Sequence, residues 1–174
     1  MDVHFVPPDL RRLDALKSEA LCVPFFEDER PLRGALGLVD WRLCGLLSRL
    51  MMRSRISGAR GETVLVPARP KLTVEKLLLF GGGPRAEFDE EVFTQQVAHM
   101  LATLTRARVR ASVVVLPGRA LELITPVRAM EIFLQVAAGT EEHDEITLVE
   151  DADAQRAMDP ILARERRRAR AVVA

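Results

Sequence analysis

The residues most suggestive of chemistry are Gly81-Gly82-Gly83, which follow the apolar run Leu77-Leu78-Leu79-Phe80 and precede a helical pattern. Glycine lets a backbone approach an oxyanion closely, and N–H groups at a helix start favour negative charge. The arrangement therefore suits a phosphate group. It is neither a Gly-x-Gly-x-x-Gly fingerprint nor a Walker loop. Pro84 removes one donor, and Glu87, Asp89, Glu90 and Glu91 crowd the following helix start with negative charge. A tight exit from a buried strand accounts for the same glycines without a ligand, and the balance favours that reading.

Arg164, Arg166, Arg167, Arg168 and Arg170 form the densest local charge. They are candidates for contact with nucleic-acid phosphate or with a partner. Arginines near a helix C-terminus also complement its dipole with no partner at all. Glu141-Glu142-His143-Asp144-Glu145 offers oxygen and imidazole donors, but neighbouring residues do not all converge on one ion, and a solvated loop is expected. No metal site and no cofactor are expected. His4 and His99 stand alone, and no nucleophile–base–orienter set has an identifying spacing. Cys22 and Cys44 fall in apolar segments and read as small core residues in a reducing compartment.

These residues need a scaffold, and the chain supplies an alternating one. Val3–Val6, Ala20–Phe26, Glu62–Pro67, Leu77–Phe80, Val109–Leu116 and Glu145–Val149 read as strands. Pro24 argues for an edge position or a strand end in the second of these. The unbroken apolar run of the fourth implies cover on both faces, as in a central strand. Helical patterns occupy Leu10–Leu16, Leu36–Met52, Asp89–Arg106, Thr125–Ala138 and the segment after Asp151 or Asp153. Asp9 and Asp89 are expected N-caps, and Thr125-Pro126 reads as a cap followed by proline at the first helical position. Trp41, Met51 and Met52 broaden the stripe of the Leu36–Met52 helix and read mainly as core. A second, outer contact surface is the other reading. Alternating strands and helices imply an α/β fold with a mostly parallel sheet and helices on both faces. Residues 1–174 are read as one domain, without repeat or linker.

The order of these segments resembles the N-terminal domain of the leucyl (cytosol) aminopeptidases. The features that carry it are Phe26-Glu27-Asp28, Pro31-Leu32, Asp40, Gly58, Gly61-Glu62 and Gly81, with the closing "ITLVEDADAQRAMDPILARERRRAR". The resemblance covers nearly the whole chain. It implies a macro-like three-layer α/β/α domain with a mostly parallel mixed sheet. In that family peptidase chemistry belongs to a C-terminal domain with two metal ions, held partly by a signature like Asn-Thr-Asp-Ala-Glu-Gly-Arg. This chain has no asparagine and stops where that domain would begin. The resemblance therefore implies a non-catalytic, stand-alone relative of the N-terminal domain, acting as a protein-interaction or regulatory module on a partner or on itself. The alternative it carries is a macro-type binder of ADP-ribose or a nucleotide through Gly81, Gly82 and Gly83. Replacing Gly82 by a bulky residue should then abolish binding with the fold intact. A third reading is DNA contact through the C-terminal arginines.

Composition narrows the remaining classes. Apolar residues make up 48% and charged residues 29% of the 174, a globular balance. Formal net charge is zero, which gives the whole molecule no pull toward DNA or an anionic membrane. Leu36–Met52 is interrupted by Asp40, Arg42 and Arg49 and is no membrane span, and Met1-Asp2-Val3-His4 lacks a signal-peptide pattern. A cytoplasmic protein is expected.

Overall fold

The computed structural model describes residues 1–140 and 143–173, with side chains except those of residues 169, 170, 172 and 173. Six strands form one sheet: β1 (Asp2–Val6), β2 (Ala20–Phe25), β3 (Thr63–Pro67), β4 (Lys76–Gly81), β5 (Ala111–Val114) and β6 (Glu145–Val149). Their order is β1-β6-β5-β2-β4-β3, and all neighbours are parallel except β3, which runs antiparallel to β4 at one edge. The helices are α1 (Leu10–Ala15), α2 (Gly34–Arg42), α3 (Leu46–Met52), α4 (Glu90–Arg106), α5 (Pro126–Ala137) and α6 (Ala152–Val173), with short 3-10 turns at Arg85–Glu87 and Arg119–Leu121.

The strand pleat divides the apolar residues between two cores. Leu78 and Phe80 of β4 face a layer made by α4, α5 and α6, with Phe93, Met100, Leu104, Met130 and Phe133 at its centre. Leu77 and Leu79 face the opposite layer of α1, α2 and α3, with Leu36, Val39, Leu47 and Met51. The architecture is thus three-layered α/β/α, as expected. Asp9, Asp89 and Thr125 cap α1, α4 and α5 by accepting backbone N–H bonds, and Asp151 does the same for α6.

The expectation of one long second helix needs correction. The Leu36–Met52 pattern is two helices. Cys44 (φ 57°) and Gly45 (φ 74°) turn left-handed between them. Asp40, buried at the end of α2, caps α3: its Oδ1 accepts the Leu47 N–H at 2.7 Å and the Ser48 N–H at 3.2 Å. Of the two readings of Pro24, the strand end holds: β2 lies inside the sheet, and Pro24 is its penultimate residue, beyond the last pair with β5. Pro24 is tolerated because pairing with β5 ends at Cys22–Val114, so its missing N–H faces a place where β5 has turned away.

Candidate functional site

In open parallel sheets ligands bind beyond the carboxyl ends of the strands, where successive connections diverge. Here that point lies between β2 and β5: the chain leaves β2 toward β3 and β4, and leaves β5 toward β6. Phe26, Glu29, Arg33, Val115, Gly118, Ala120 and Leu121 close over the gap and leave about 20 Å³, room for one water. Glu29 is buried there and accepts the Arg33 N–H at 3.2 Å, while desolvation pushes its carboxyl above the usual range. Beside it, Arg119 clamps Glu150 in a two-armed pair at 3.1 Å and donates to the Ile124 carbonyl at 2.7 Å. Burial raises the Glu150 carboxyl as well, against the pull of Arg119. The adjoining cavity of about 230 Å³ is lined by Glu122, Glu150 and Asp151, with Arg119 already engaged. Ligand sites run to about 300–1,000 Å³, so this crevice is small and acidic for a nucleotide.

The three glycines sit at the end of β4, and their donors face inward. Gly81 N–H bonds the Glu62 carbonyl at 2.8 Å, Gly82 N–H the Phe25 carbonyl at 2.8 Å, and Gly83 N–H the Gly58 carbonyl at 2.8 Å. The Arg85 N–H is held by Asp28 at 3.0 Å. The turn ties β2, β4 and the loop before β3 together. A Cβ on Gly82 would stand 2.8 Å from the Phe26 ring, so a bulky residue there disturbs packing directly and the expected intact-fold test does not apply.

The C-terminal arginines lie along α6. Arg166 donates to the Val3 carbonyl at 2.8 Å, Arg164 stands 3.9 Å from Glu131 and Arg168 3.6 Å from Glu165. Arg167 is exposed, and the Arg170 side chain lies outside the described residues, as do Glu141 and Glu142. His143 is not part of a solvated loop. It is buried, with Nδ1 3.0 Å from the Val109 carbonyl, and clasps the loop before β6 to the end of α4. No group of three or more His, Cys, Asp or Glu is placed to hold a metal among the described residues, and no described helix is long and apolar enough to cross a membrane.

Sequence reasoning placed two side chains on the wrong side. Trp41 is 70% exposed and Met52 72% exposed. Each lies off the buried stripe of its own helix, so only Met51 of that group stays in the core. Cys44 is exposed too. Its Sγ takes a hydrogen bond from the Lys71 ammonium at 2.8 Å, which holds the thiol below its ordinary range, with Arg49 and Arg42 adding to the effect. Trp41, Pro31, Leu32, Gly37 and Cys44 border an open groove of about 610 Å³ between α2 and α3. A second open groove of about 670 Å³ lies at the opposite ends of the strands, beside Lys17, Glu19 and a paired Arg69 and Glu75.

Comparison with known proteins places these features in a lineage. The sequence model of the cytosol aminopeptidase family, N-terminal domain, matches residues 22–139. A probable cytosol aminopeptidase of Halorhodospira halophila is 31% identical over 114 residues, covering 66% of this chain and 22% of that protein. One from Geobacter sp. (strain M21) is 35% identical over 98 residues, covering 56% and 20%. The chain spans about a fifth of the length of the curated relatives it matches. Among solved structures, a mutant of tomato leucine aminopeptidase superposes with a TM-score of 0.61 at 14% identity, over 91% of this chain and 35% of that one. A Trypanosoma brucei macrodomain in complex with ADP-ribose superposes with a TM-score of 0.71 at 14% identity, over 92% and 68%.

Proposed function

The chain belongs to the cytosol aminopeptidase family through that family's N-terminal domain, and from that premise we propose that it works as a non-catalytic binding module for another protein chain, either a second copy or an aminopeptidase it regulates. The observation that carries this reading is Trp41, the single tryptophan, standing 70% exposed on the groove between α2 and α3. Tryptophan is strongly buried on average, and Trp, Met and Arg are the residues that protein interfaces enrich. The reading also draws on the match, which is to the family's N-terminal domain.

Sedimentation of the pure chain, and co-purification from its own source cells, test it with wild type and Trp41→Ala in parallel. A complex weakened at least tenfold by the substitution is expected. A chain that stays alone whichever residue stands at 41 overturns the reading. So does metal-dependent release of amino acids from peptides that is lost when the chain's own residues are changed.

A second reading, a binder of ADP-ribose or a nucleotide at the Gly81–Gly83 turn, draws on the superposition with the ADP-ribose-bound macrodomain. The engaged glycine donors and the filled crevice speak against it. A thermal scan with ADP-ribose and common nucleotides separates the two. A ligand at about 1,000 times its dissociation constant stabilises by roughly 4 kcal/mol, on the order of 8–16 °C for a chain of this size, whereas the binding module shows no shift. DNA contact through Arg164, Arg166, Arg167, Arg168 and Arg170 predicts binding that weakens steeply with salt and disappears when the residues after Ala163 are removed.

A further inference from the structure

Between residues 30 and 60 the chain carries seven arginines (30, 33, 42, 49, 53, 55 and 60) and one carboxylate, Asp40. Over the whole sequence basic and acidic residues balance at 25 each, so this imbalance is local. Asp40 does not offset it at the surface, because its carboxylate is buried and accepts the N–H groups that open α3. Arg42 pairs with Asp14 at 3.2 Å and Arg60 with Glu87 at 3.0 Å. Among the described residues, Arg30, Arg33, Arg49, Arg53 and Arg55 are exposed and have no carboxylate within ion-pair distance. Elsewhere Arg85, Arg110, Arg119 and Arg128 each meet an acidic side chain, while Arg11, Arg12, Arg106 and Arg108 are bare as well, so what sets residues 30–60 apart is the shortage of acidic side chains beside seven arginines.

The unpaired charges border apolar surface. Arg49, Met52 and Arg53 stand at i, i+3 and i+4, so they share one face at the end of α3. The Arg49 guanidinium reaches back to the Cys44 carbonyl at 2.5 Å, which brings it to the groove where Trp41, Pro31 and Leu32 lie. The groove is mostly apolar, with Arg42 and the Asp40 carboxylate in its wall, Arg49 at its edge and Arg53 beside Met52 on the adjoining face, and it suits an apolar side chain flanked by carboxylates, which an arginine can meet with two parallel hydrogen bonds.

We propose that the outer face of α2 and α3 receives an acidic segment of a partner protein, anchored by an apolar residue of that segment in the groove beside Trp41. This rests on the reading of the chain as a protein-binding module and adds the chemistry of the partner. Nucleic acid would satisfy the arginines but leave Met52 and the Pro31–Leu32 wall uncovered, so protein is the better fit.

Panning a random dodecapeptide library on the immobilised full chain tests the proposal. Each selected peptide is then titrated, by its own fluorescent label, against wild type, Trp41→Ala, and the combined Arg49→Gln, Arg53→Gln, Arg55→Gln variant. Circular dichroism and melting temperature confirm that the variants fold. The expected result is a selected set rich in Asp and Glu around an aromatic or aliphatic residue, bound at least tenfold more weakly by both variants and weakened by salt. Neutral apolar peptides lost on Trp41→Ala but indifferent to the arginine changes overturn the proposal and leave the binding-module reading intact. No enriched peptide, together with no complex in the sedimentation test, overturns both. A labelled 20-base DNA strand that binds wild type tightly while no acidic peptide does overturns the proposal in favour of nucleic acid.

Discussion

A methyl group at residue 82 would stand 2.8 Å from the Phe26 ring and 2.9 Å from the Gln96 amide, closer than real contacts allow. Both neighbours are buried, and overpacking of this kind typically costs about 1–3 kcal/mol. Gly82→Val is therefore expected to lower the melting temperature with no ligand present; an unchanged melting temperature would show the turn to be slack. At residue 81 a Cβ would lie 2.0 Å from the Ala59 carbonyl oxygen, a backbone atom that cannot step aside. Each glycine thus has its own structural reason: close backbone approach at Gly81, side-chain packing at Gly82 and a left-handed φ of 77° at Gly83. His99 offers a titratable counterpart. Its Nε2 lies 2.7 Å from the Thr63 hydroxyl and its ring meets Phe80 edge-on. Burial, then the charge of Arg106, holds its pKa below the ordinary histidine value. The folded state therefore takes up its proton later than the unfolded chain does. The stability contributed by neutral His99 is present above the unfolded pKa and is lost as pH falls through the folded one. Urea midpoints measured from pH 7.5 to 5 should drop for wild type and drop less for His99→Gln; equal slopes would remove the assignment.

Among the elements, the join of α2 and α3 rests on one side chain. Asp40→Ala leaves the Leu47 and Ser48 N–H groups without their cap. A buried cap of this kind is worth about 2 kcal/mol, or about 4–8 °C in melting temperature. Asp40→Asn should lose much less, since an amide oxygen still accepts, and a calorimetric scan of the two variants distinguishes capping from general packing. This join also marks how far the sequence could be read. The strands and the caps at Asp9, Asp89 and Thr125 were legible because local pattern and tertiary burial agree there. The leucine stripe from Leu36 to Leu50 keeps helical spacing straight through Cys44-Gly45, so periodicity could not reveal a break that depends on Asp40 folding back. Cys44 stands at that break and is exposed there, while Trp41 and Met52 lie off the buried stripe on either side of it, a position that apolar residue type alone does not reveal. Pro24 left edge and strand end both open for a related reason: the choice depends on where β5 stops, which no local window contains. The open edge is a case where local chemistry does its own work. The Gly81 N–H to Glu62 bond sets the β3–β4 alternation so that Thr63, Leu65 and Pro67 present their backbone outward, and proline there has no donor to offer a stray strand.

At the scale of the whole molecule, one sheet serves both cores. Cys22 of β2 faces the α4–α6 layer and is fully buried, while its neighbours Leu21 and Val23 face the α1–α3 layer. A sheet shared in this way cannot release one layer without exposing the other face of the same strands, so the two layers should unfold together. The two cysteines report on this without any added label. Cys44 is exposed and should react at once with a thiol reagent. Burial pushes the Cys22 thiol up as well as hiding it, so it should react only through global opening. Leu47 lies in the α1–α3 core, on the face away from Cys22. Leu47→Ala costs about 2–5 kcal/mol at such a site, so it should speed Cys22 labelling at least about 30-fold if opening is all-or-none. An acceleration matching the loss of stability measured in urea makes residues 1–174 one cooperative unit. Labelling of Cys22 that ignores Leu47→Ala would mean that the α1–α3 layer detaches by itself. The face proposed to bind a partner would then be a movable part, and the affinity of any partner docked there would carry the free energy of docking that layer.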